Sequence, residues 1–238
     1  MIGLELALRS NVGYESGHLL TPRRIAIAVM AMGDPMLNLP SLERATVQAK
    51  PFPFVVIPNF VNEESLEEIE RDFPVITKPG SFPLETLRAG PGFSRFMQDL
   101  REPAFGSIMG QKLGIDLDNR PMTITVRGQA RRTDGAIHLD SKSKLVTVLV
   151  YMNGKWEADG GRLRLLNSPS NLDDVVMEVP PARGTLLAFL NVSNAWHGHK
   201  PFQGERRVIQ LNWVRNNWVV WRERTRHSVS ALAKSLRG

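Results

Sequence analysis

The chain has no cysteine, only two tyrosines, five histidines and no long apolar run. The lack of cysteine excludes disulfides, zinc–thiolate sites, iron–sulfur clusters and thiol nucleophiles. Any metal must therefore be held by His, Asp or Glu. A reducing compartment fits this composition, and a cytoplasmic location is the expectation. No stretch reaches the roughly 18 apolar residues that a membrane span requires. The nearest is Ile25 to Met32, preceded by Arg23-Arg24 and stopped by Gly33-Asp34-Pro35. It is short, lies late in the chain and lacks a small-x-small cleavage site, so it makes a poor export signal. An extra helix, or a natural start at Met30, Met32 or Met36, accounts for it as well.

The remainder is ordinary globular composition: 238 residues, 42% hydrophobic and 23% charged, enough for one large domain or two small ones. The net charge of +6 is unevenly placed. Arg222, Arg224, Arg226, Lys234 and Arg237 stand against Glu223 alone, which accounts for four of those six charges. A solvated basic helix explains such a tail without a nucleic-acid partner, and none is expected. With Trp218, Trp221, Val229, Leu232 and Leu236 the tail is amphipathic, suited to packing back on the domain or to a homodimer contact.

Residues 1–50 read as an N-terminal extension of uncertain structure. Residues 51–120 read as a strand and supporting helices: a strand over Phe52–Ile57, a helix over 63–73 with Asn62 as N-cap, and helices near 93–101 and 104–113, the last ended by Gly114. The Pro- and Gly-rich stretch 74–92 reads as a long loop, a candidate lid. From Pro121 the texture changes. Eight short β-rich runs follow, over 122–127, 136–140, 145–152, 162–166, 175–179, 185–189, 195–199 and 206–214, with turn residues between them. The expectation is a mostly β, α+β fold: a jelly roll (double-stranded β-helix) over 121–215, buttressed by N-terminal helices, with a helical basic tail over 216–238.

The chemistry collects in the β block. In His138-Leu139-Asp140 the imidazole and carboxylate are two apart on a strand end, so both point to one face. His197 follows on the seventh predicted strand, and antiparallel strands bring such distant positions together. Two histidines and one carboxylate on one face of an octahedron leave three open positions, the facial triad of non-haem Fe(II) oxygenases.

Around these residues the sequence resembles the 2-oxoglutarate- and Fe(II)-dependent dioxygenase superfamily, in its prolyl-hydroxylase-like branch. The likeness runs from Met122 to Val214, with an echo at Phe54–Phe60. His138-Leu139-Asp140 matches the iron motif. Val150-Tyr151-Met152-Asn153, then Trp156 and Asp159-Gly160-Gly161-Arg162-Leu163, are similar to that branch's Tyr-Leu-Asn and Gly-Gly-x-Leu strands. Pro181 to Leu186, closing in Phe189, is similar to its Pro-x-x-Gly-x-Leu strand. His197, Pro201, Gly204 and Arg206 match the run from the distal histidine to the cosubstrate arginine. The resemblance implies Fe(II), 2-oxoglutarate and O2, with ascorbate in support, and hydroxylation of a small-molecule, sugar-like or peptidyl substrate as 2-oxoglutarate becomes succinate and CO2. Because Asp140 is retained, halogenation is disfavoured.

Two arginines compete for the far carboxylate of 2-oxoglutarate, which a guanidinium pairs bidentately. Counting from Gly204 selects Arg206, and counting from His197 selects Arg207. Arg206 shares its strand face with Val208, Gln210 and Asn212; Arg207 shares its own with Ile209, Leu211 and Trp213. The polar face suits a pocket, which favours Arg206. The tyrosine that the branch carries shortly before its iron motif is missing over 125–137. That leaves Thr147 as the candidate second partner and weakens a prolyl substrate. Trp196 and Trp213 read as packing residues, and His18 and His227 as surface residues.

For the substrate pocket the candidates are Arg127, Arg131, Arg132, Tyr151, Arg164 and His199. With Lys142, Lys144 and Arg162 nearby, this basic set suits an anionic substrate, although edge strands also carry Lys and Arg simply to resist pairing. A non-oxidative cupin-type metalloenzyme, isomerase-like, or a metal-binding module using the same three ligands is the alternative; neither needs Arg206.

Overall fold

Alternating apolar and polar residues in the second half of the chain build two antiparallel sheets with different neighbours on their two faces. The structure, a computed structural model, describes residues 35–222. Six strands form the larger sheet: β1 (Phe54–Ile57), β2 (Phe82–Pro83), β3 (Met122–Ala130), β4 (Lys144–Tyr151), β7 (Leu186–Leu190) and β9 (Gly204–Val214), in the order β1-β7-β4-β9-β3-β2. The smaller sheet has β5 (Leu163–Leu166), β6 (Val175–Val179) and β8 (His197–Gly198), in the order β6-β5-β8. Among the described residues, no helix is long and apolar enough to cross a membrane.

One face of the large sheet carries Val146, Val148 and Val150 of β4 with Ile209, Leu211 and Trp213 of β9. These pack against helices α3 (Pro91–Asp99) and α4 (Pro103–Leu113) through Phe93, Phe96, Met97, Phe105 and Met109. Helices α1 (Leu39–Arg44) and α2 (Glu63–Arg71) add Leu42, Leu66 and Ile69 to the same core. Each such fully buried side chain contributes about 1.5–3 kcal/mol of transfer free energy. The opposite face carries Phe54, Leu149, Tyr151, Leu187, Phe189 and Val208, which share a second core with Leu163, Leu165 and Val179 of the small sheet. The strand period of two is what divides each strand between these cores.

Several expectations are met in detail. Gly114 ends α4 in the left-handed conformation, at φ 68°. Trp213 is buried against Phe105, their rings 5.6 Å apart. Others need correction. Asn62 occupies the N-cap position of α2 but makes no capping bond; its amide donates to the Pro35 carbonyl instead. The run 136–140 is not a strand but one isolated bridge, His138 opposite His197. The segment 74–92 is not a free loop: β2 pairs with β3, placing Phe82 opposite Val126 and Pro83 opposite Thr125. The twin-arginine run, His18, His227 and the tail from 223 onward lie outside the described residues; Trp218 and Trp221 are within them and exposed.

Candidate metal centre and its cavity

Toward one end of the inner face, polar side chains replace apolar ones, and they line a cavity of about 570 Å³. Thr125 and Arg127 of β3, Thr147 of β4, and Arg206, Gln210 and Asn212 of β9 face into it from the large sheet. His197 and His199 face in from around β8, and His138, Asp140 and Lys144 from the β3–β4 connection and the start of β4.

His138 and His197 sit directly opposite each other. Their backbones exchange both hydrogen bonds, at 3.0 and 3.2 Å, and their rings lie 4.3 Å apart. Each imidazole bonds through Nδ1 to the carbonyl two residues earlier, His138 to Ala136 at 2.8 Å and His197 to Ala195 at 2.9 Å. A carbonyl only accepts, so Nδ1 carries the proton and Nε2 presents its lone pair. Burial, followed by the proximity of His138, lowers the pKa of His197 to about 4. The ring is thus neutral at pH 7, the state in which it binds a metal.

Asp140 completes the set. Its Oδ1 accepts from Lys144 Nζ at 2.8 Å, and its Oδ2 accepts from the Thr147 hydroxyl. Burial raises its pKa, but Lys144, His197 and the two hydrogen bonds outweigh burial and hold it below the ordinary carboxylate value. Simple alternation would put Lys144 on the helix side with Val146. A bulge between Lys144 and Val146 turns it to the cavity instead, which is what bulges beside functional sites do. Donor atoms of His138, Asp140 and His197 all lie within 4.8 Å of one another. Ligands on one face of an octahedron, each about 2.0–2.2 Å from a first-row ion, stand roughly 3 Å apart, so a bound ion would draw the widest of these separations inward. His138 is exposed and His197 buried, leaving the centre open on one side.

Behind Asp140 a polar row crosses three strands. Thr147 contacts Asn212 at 3.2 Å, and Asn212 reaches Gln210 at 3.2 Å and Thr123 at 3.4 Å. The single Thr147 hydrogen goes to the charged carboxylate. The sequence-based candidate for the cosubstrate thus sits here as the partner of Asp140.

Arg206 is 7% exposed and lines the cavity. Its Nε donates to the Gly161 carbonyl at 2.8 Å, and it stands 5.5 Å from the ring centre of Tyr151. Among the described residues no acidic side chain forms an ion pair with it, and burial lowers its pKa. Tyr151 is fully buried, and among the described residues its hydroxyl makes no well-formed hydrogen bond, its polar contact being the Arg206 guanidinium. An unneutralised guanidinium beside an orphaned hydroxyl is a set of donors waiting for an anion. Arg207 points the other way. It pairs with Glu205 at 2.9 Å and lies over the Phe73 ring.

The other candidates separate. Arg127 and His199 line the cavity; His199 bonds the Lys200 carbonyl through Nδ1 and is not in the three-residue donor group. Tyr151 is not among the residues of the cavity wall but adjoins Arg206, which is. Arg131 and Arg132 are exposed and outside it, Arg131 paired with Asp134 at 3.4 Å. Arg164 is held by Asp173 at 2.5 Å and Glu178 at 2.6 Å on the small sheet, so its charge is neutralised. Ser81 gave no sequence signal, and only the β2–β3 pairing brings it into the cavity wall. Two motif residues prove to be scaffold. Asn153 ties Pro181 and Arg207 together with three hydrogen bonds. Gly160 is required because a Cβ there would lie 2.1 Å from the Pro201 carbonyl oxygen.

Residues 129–215 match the family model of the 2OG-Fe(II) oxygenase superfamily. No curated protein matches the chain significantly. Among solved structures it is similar to a prolyl-4-hydroxylase from Pseudomonas putida, at 20% identity and TM-score 0.47, over 68% of this chain and 92% of that one. A prolyl hydroxylase from Trichoplax adhaerens, in complex with a hypoxia-inducible-factor oxygen-degradation-domain peptide, gives 17% and 0.44 over 68% and 83%. An oxidoreductase of the 2OG-Fe(II) oxygenase family from Burkholderia pseudomallei gives 13% and 0.48 over 69% and 85%.

Proposed function

We propose, from the membership of residues 129–215 in the 2OG-Fe(II) oxygenase superfamily, that this chain hydroxylates an unactivated C–H bond of a small-molecule or peptidyl substrate. The observation that carries the proposal is the pairing, in one cavity, of a His/Asp/His donor set with an unneutralised guanidinium at Arg206. The paired sheets are read as the double-stranded β-helix of that superfamily.

In this reading His138, Asp140 and His197 hold Fe(II). The donor chemistry fits: two neutral imidazoles and one carboxylate suit non-haem Fe(II) and leave positions open. Arg206 and the Tyr151 hydroxyl bind the far carboxylate of 2-oxoglutarate, which gives the orphaned hydroxyl a partner and the buried cation a counter-charge. Bound Fe(II), with 2-oxoglutarate and O2, supplies the oxidant: one oxygen atom goes into the substrate C–H bond and the other into succinate, with CO2 released. The chain's own task is orientation and exclusion of water. The Ala136 and Ala195 carbonyls keep both Nε2 atoms aimed into the cavity. Thr147 and Lys144 grip one oxygen each of Asp140, which limits how the carboxylate can turn. Leu149, Leu163 and Val208 provide the apolar part of the wall. Ascorbate is a supporting reductant.

The test is succinate and CO2 release by purified protein given Fe(II), ascorbate and 2-oxoglutarate, with and without a metabolite pool. His138→Ala should abolish it. Absence of turnover, together with absence of 2-oxoglutarate binding, would return the site to a non-oxidative metalloenzyme.

A further inference from the structure

Resting on this oxygenase reading, we infer that the substrate carries one anionic group, a carboxylate or a phosphate, and that Arg127 with Ser81 binds it.

Among the described residues, the charged ones around the cavity are Arg127, Lys144, Arg206 and Arg222 on one side and Asp134 and Asp140 on the other. Cations exceed acids by two. Loading the site leaves that excess unchanged, since the charge of Fe(II) and that of 2-oxoglutarate cancel. Three of the cations are already engaged. Lys144 is paired with Asp140, Arg206 serves the cosubstrate, and Arg222 lies over the Trp218 ring at 5.0 Å.

Arg127 is different. Its Nε donates to Ser81 Oγ at 3.2 Å, and no acidic side chain among the described residues makes an ion pair with it. The nearest influential acid, Asp134, is occupied by Arg131, through the side chain at 3.4 Å and the backbone N–H at 3.0 Å. Burial lowers the pKa of Arg127, the sign that water has been withdrawn from a guanidinium without a counter-ion replacing it. A group in that position costs stability until an anion arrives.

Placement agrees. Arg127 pairs in register with Val208, so Arg206 is its diagonal neighbour on the same face. Arg127 and the His138, Asp140 and His197 donors line one cavity of about 570 Å³, which keeps an anion held at Arg127 within small-molecule length of those donors. The Ser81 hydroxyl, which makes a long 3.4 Å bond to Thr125 Oγ1, can turn to donate to the same anion. One guanidinium and one hydroxyl suit a single carboxylate or phosphate. Arg131, Arg132 and Arg164 lie outside the cavity and contribute nothing to it.

The experiment uses the full chain loaded with Mn(II) and saturating 2-oxoglutarate, so that the cosubstrate site is filled. Thermal unfolding is followed in sodium acetate, in sodium phosphate and in sodium chloride at matched ionic strength. Acetate or phosphate at about 10 mM should raise the Tm by about 2 °C beyond chloride, and the stronger of the two identifies the anion class. Arg127→Met should abolish the excess, Ser81→Ala should reduce it, and Arg127→Lys should retain part of it. The Tm of each variant in chloride shows that it folds. No excess over chloride in the wild type, or an equal excess in Arg127→Met, overturns the proposal. So does loss of 2-oxoglutarate stabilisation in Arg127→Met, which would make Arg127 a cosubstrate residue. A wild type stabilised by the anion through Arg127 but not by 2-oxoglutarate would instead remove the oxygenase reading and leave the anion site standing.

Discussion

Lys144 and Asp140 form an ion pair at 2.8 Å in which both side chains are nearly withdrawn from water, at 12% and 10% exposure. The carboxylate proposed to bind iron therefore already has a counter-charge before any metal arrives. Lys144 acts as a positioning residue: it compensates Asp140 in the metal-free protein and restricts its rotation.

Lys144→Met leaves Asp140 buried and uncompensated until a metal binds. The metal-free protein should lose about 1–3 kcal/mol, less than a fully buried pair because some solvent screening remains. Mn(II) should then raise the Tm by more than it does in the wild type. The check is thermal unfolding in EDTA and in Mn(II). An equal loss in both states would reduce Lys144 to simple packing.

The stability of the metal-free protein should fall as pH drops from 7 to 5. The folded pKa of His197, lowered to about 4, lies below its ordinary value near 6.5, so the unfolded chain binds more protons throughout that window. Linkage puts the loss at about 2 kcal/mol. Asp140, whose pKa is lowered, adds its own loss only below the ordinary carboxylate range. Urea unfolding in EDTA at the two pH values measures the drop, and His197→Asn should remove most of it, the remainder belonging to His199, whose pKa burial also lowers. A wild type with no slope contradicts the burial argument.

Tyr151→Phe separates ligand binding from folding. Among the described residues the hydroxyl makes no well-formed hydrogen bond and meets the Arg206 guanidinium, itself a donor, so its removal should change the stability of the ligand-free protein little. Under the proposed function the KM for 2-oxoglutarate should rise about 5- to 10-fold, the worth of one hydrogen bond to a charged group. A Tyr151→Phe protein that unfolds more easily, with cosubstrate affinity intact, would assign the hydroxyl a structural role.

Arg206 and Arg207 should behave oppositely. Arg206→Leu is expected to weaken 2-oxoglutarate binding by 100-fold or more, of the order of the 2–5 kcal/mol that losing one partner of a buried charge pair costs. Arg207→Leu removes a half-exposed pair with Glu205 and should shift stability by less than about 1 kcal/mol with no effect on the cosubstrate. Isothermal titration of both variants with 2-oxoglutarate decides it, and a large effect from Arg207→Leu would reverse the assignment.

The local order of the fold was readable because it rests on short-range rules. Strand alternation sorts β9 into a polar face with Arg206, Gln210 and Asn212 and an apolar face with Ile209, Leu211 and Trp213, and the structure has the same division. Gly114 as a helix terminator is equally local. Where alternation is broken the reading fails. A bulge turned Lys144 into the cavity, and a single bridge rather than a strand holds His138 opposite His197.

The sequence alone determined the ligand types and the strand period, because side-chain chemistry and backbone alternation are properties of neighbouring residues. It therefore carried His138, Asp140 and His197 as a donor set. Tertiary structure alone decided which charges remain unspent. Arg164 meets Asp173 and Glu178, Arg131 meets Asp134, and Lys144 meets Asp140, whereas Arg127 and Arg206 face the cavity with no ion pair to an acid among the described residues. A charge is neutralised by whatever lies within about 4 Å of it, and in a sheet that neighbour is set by register and topology, not by distance along the chain.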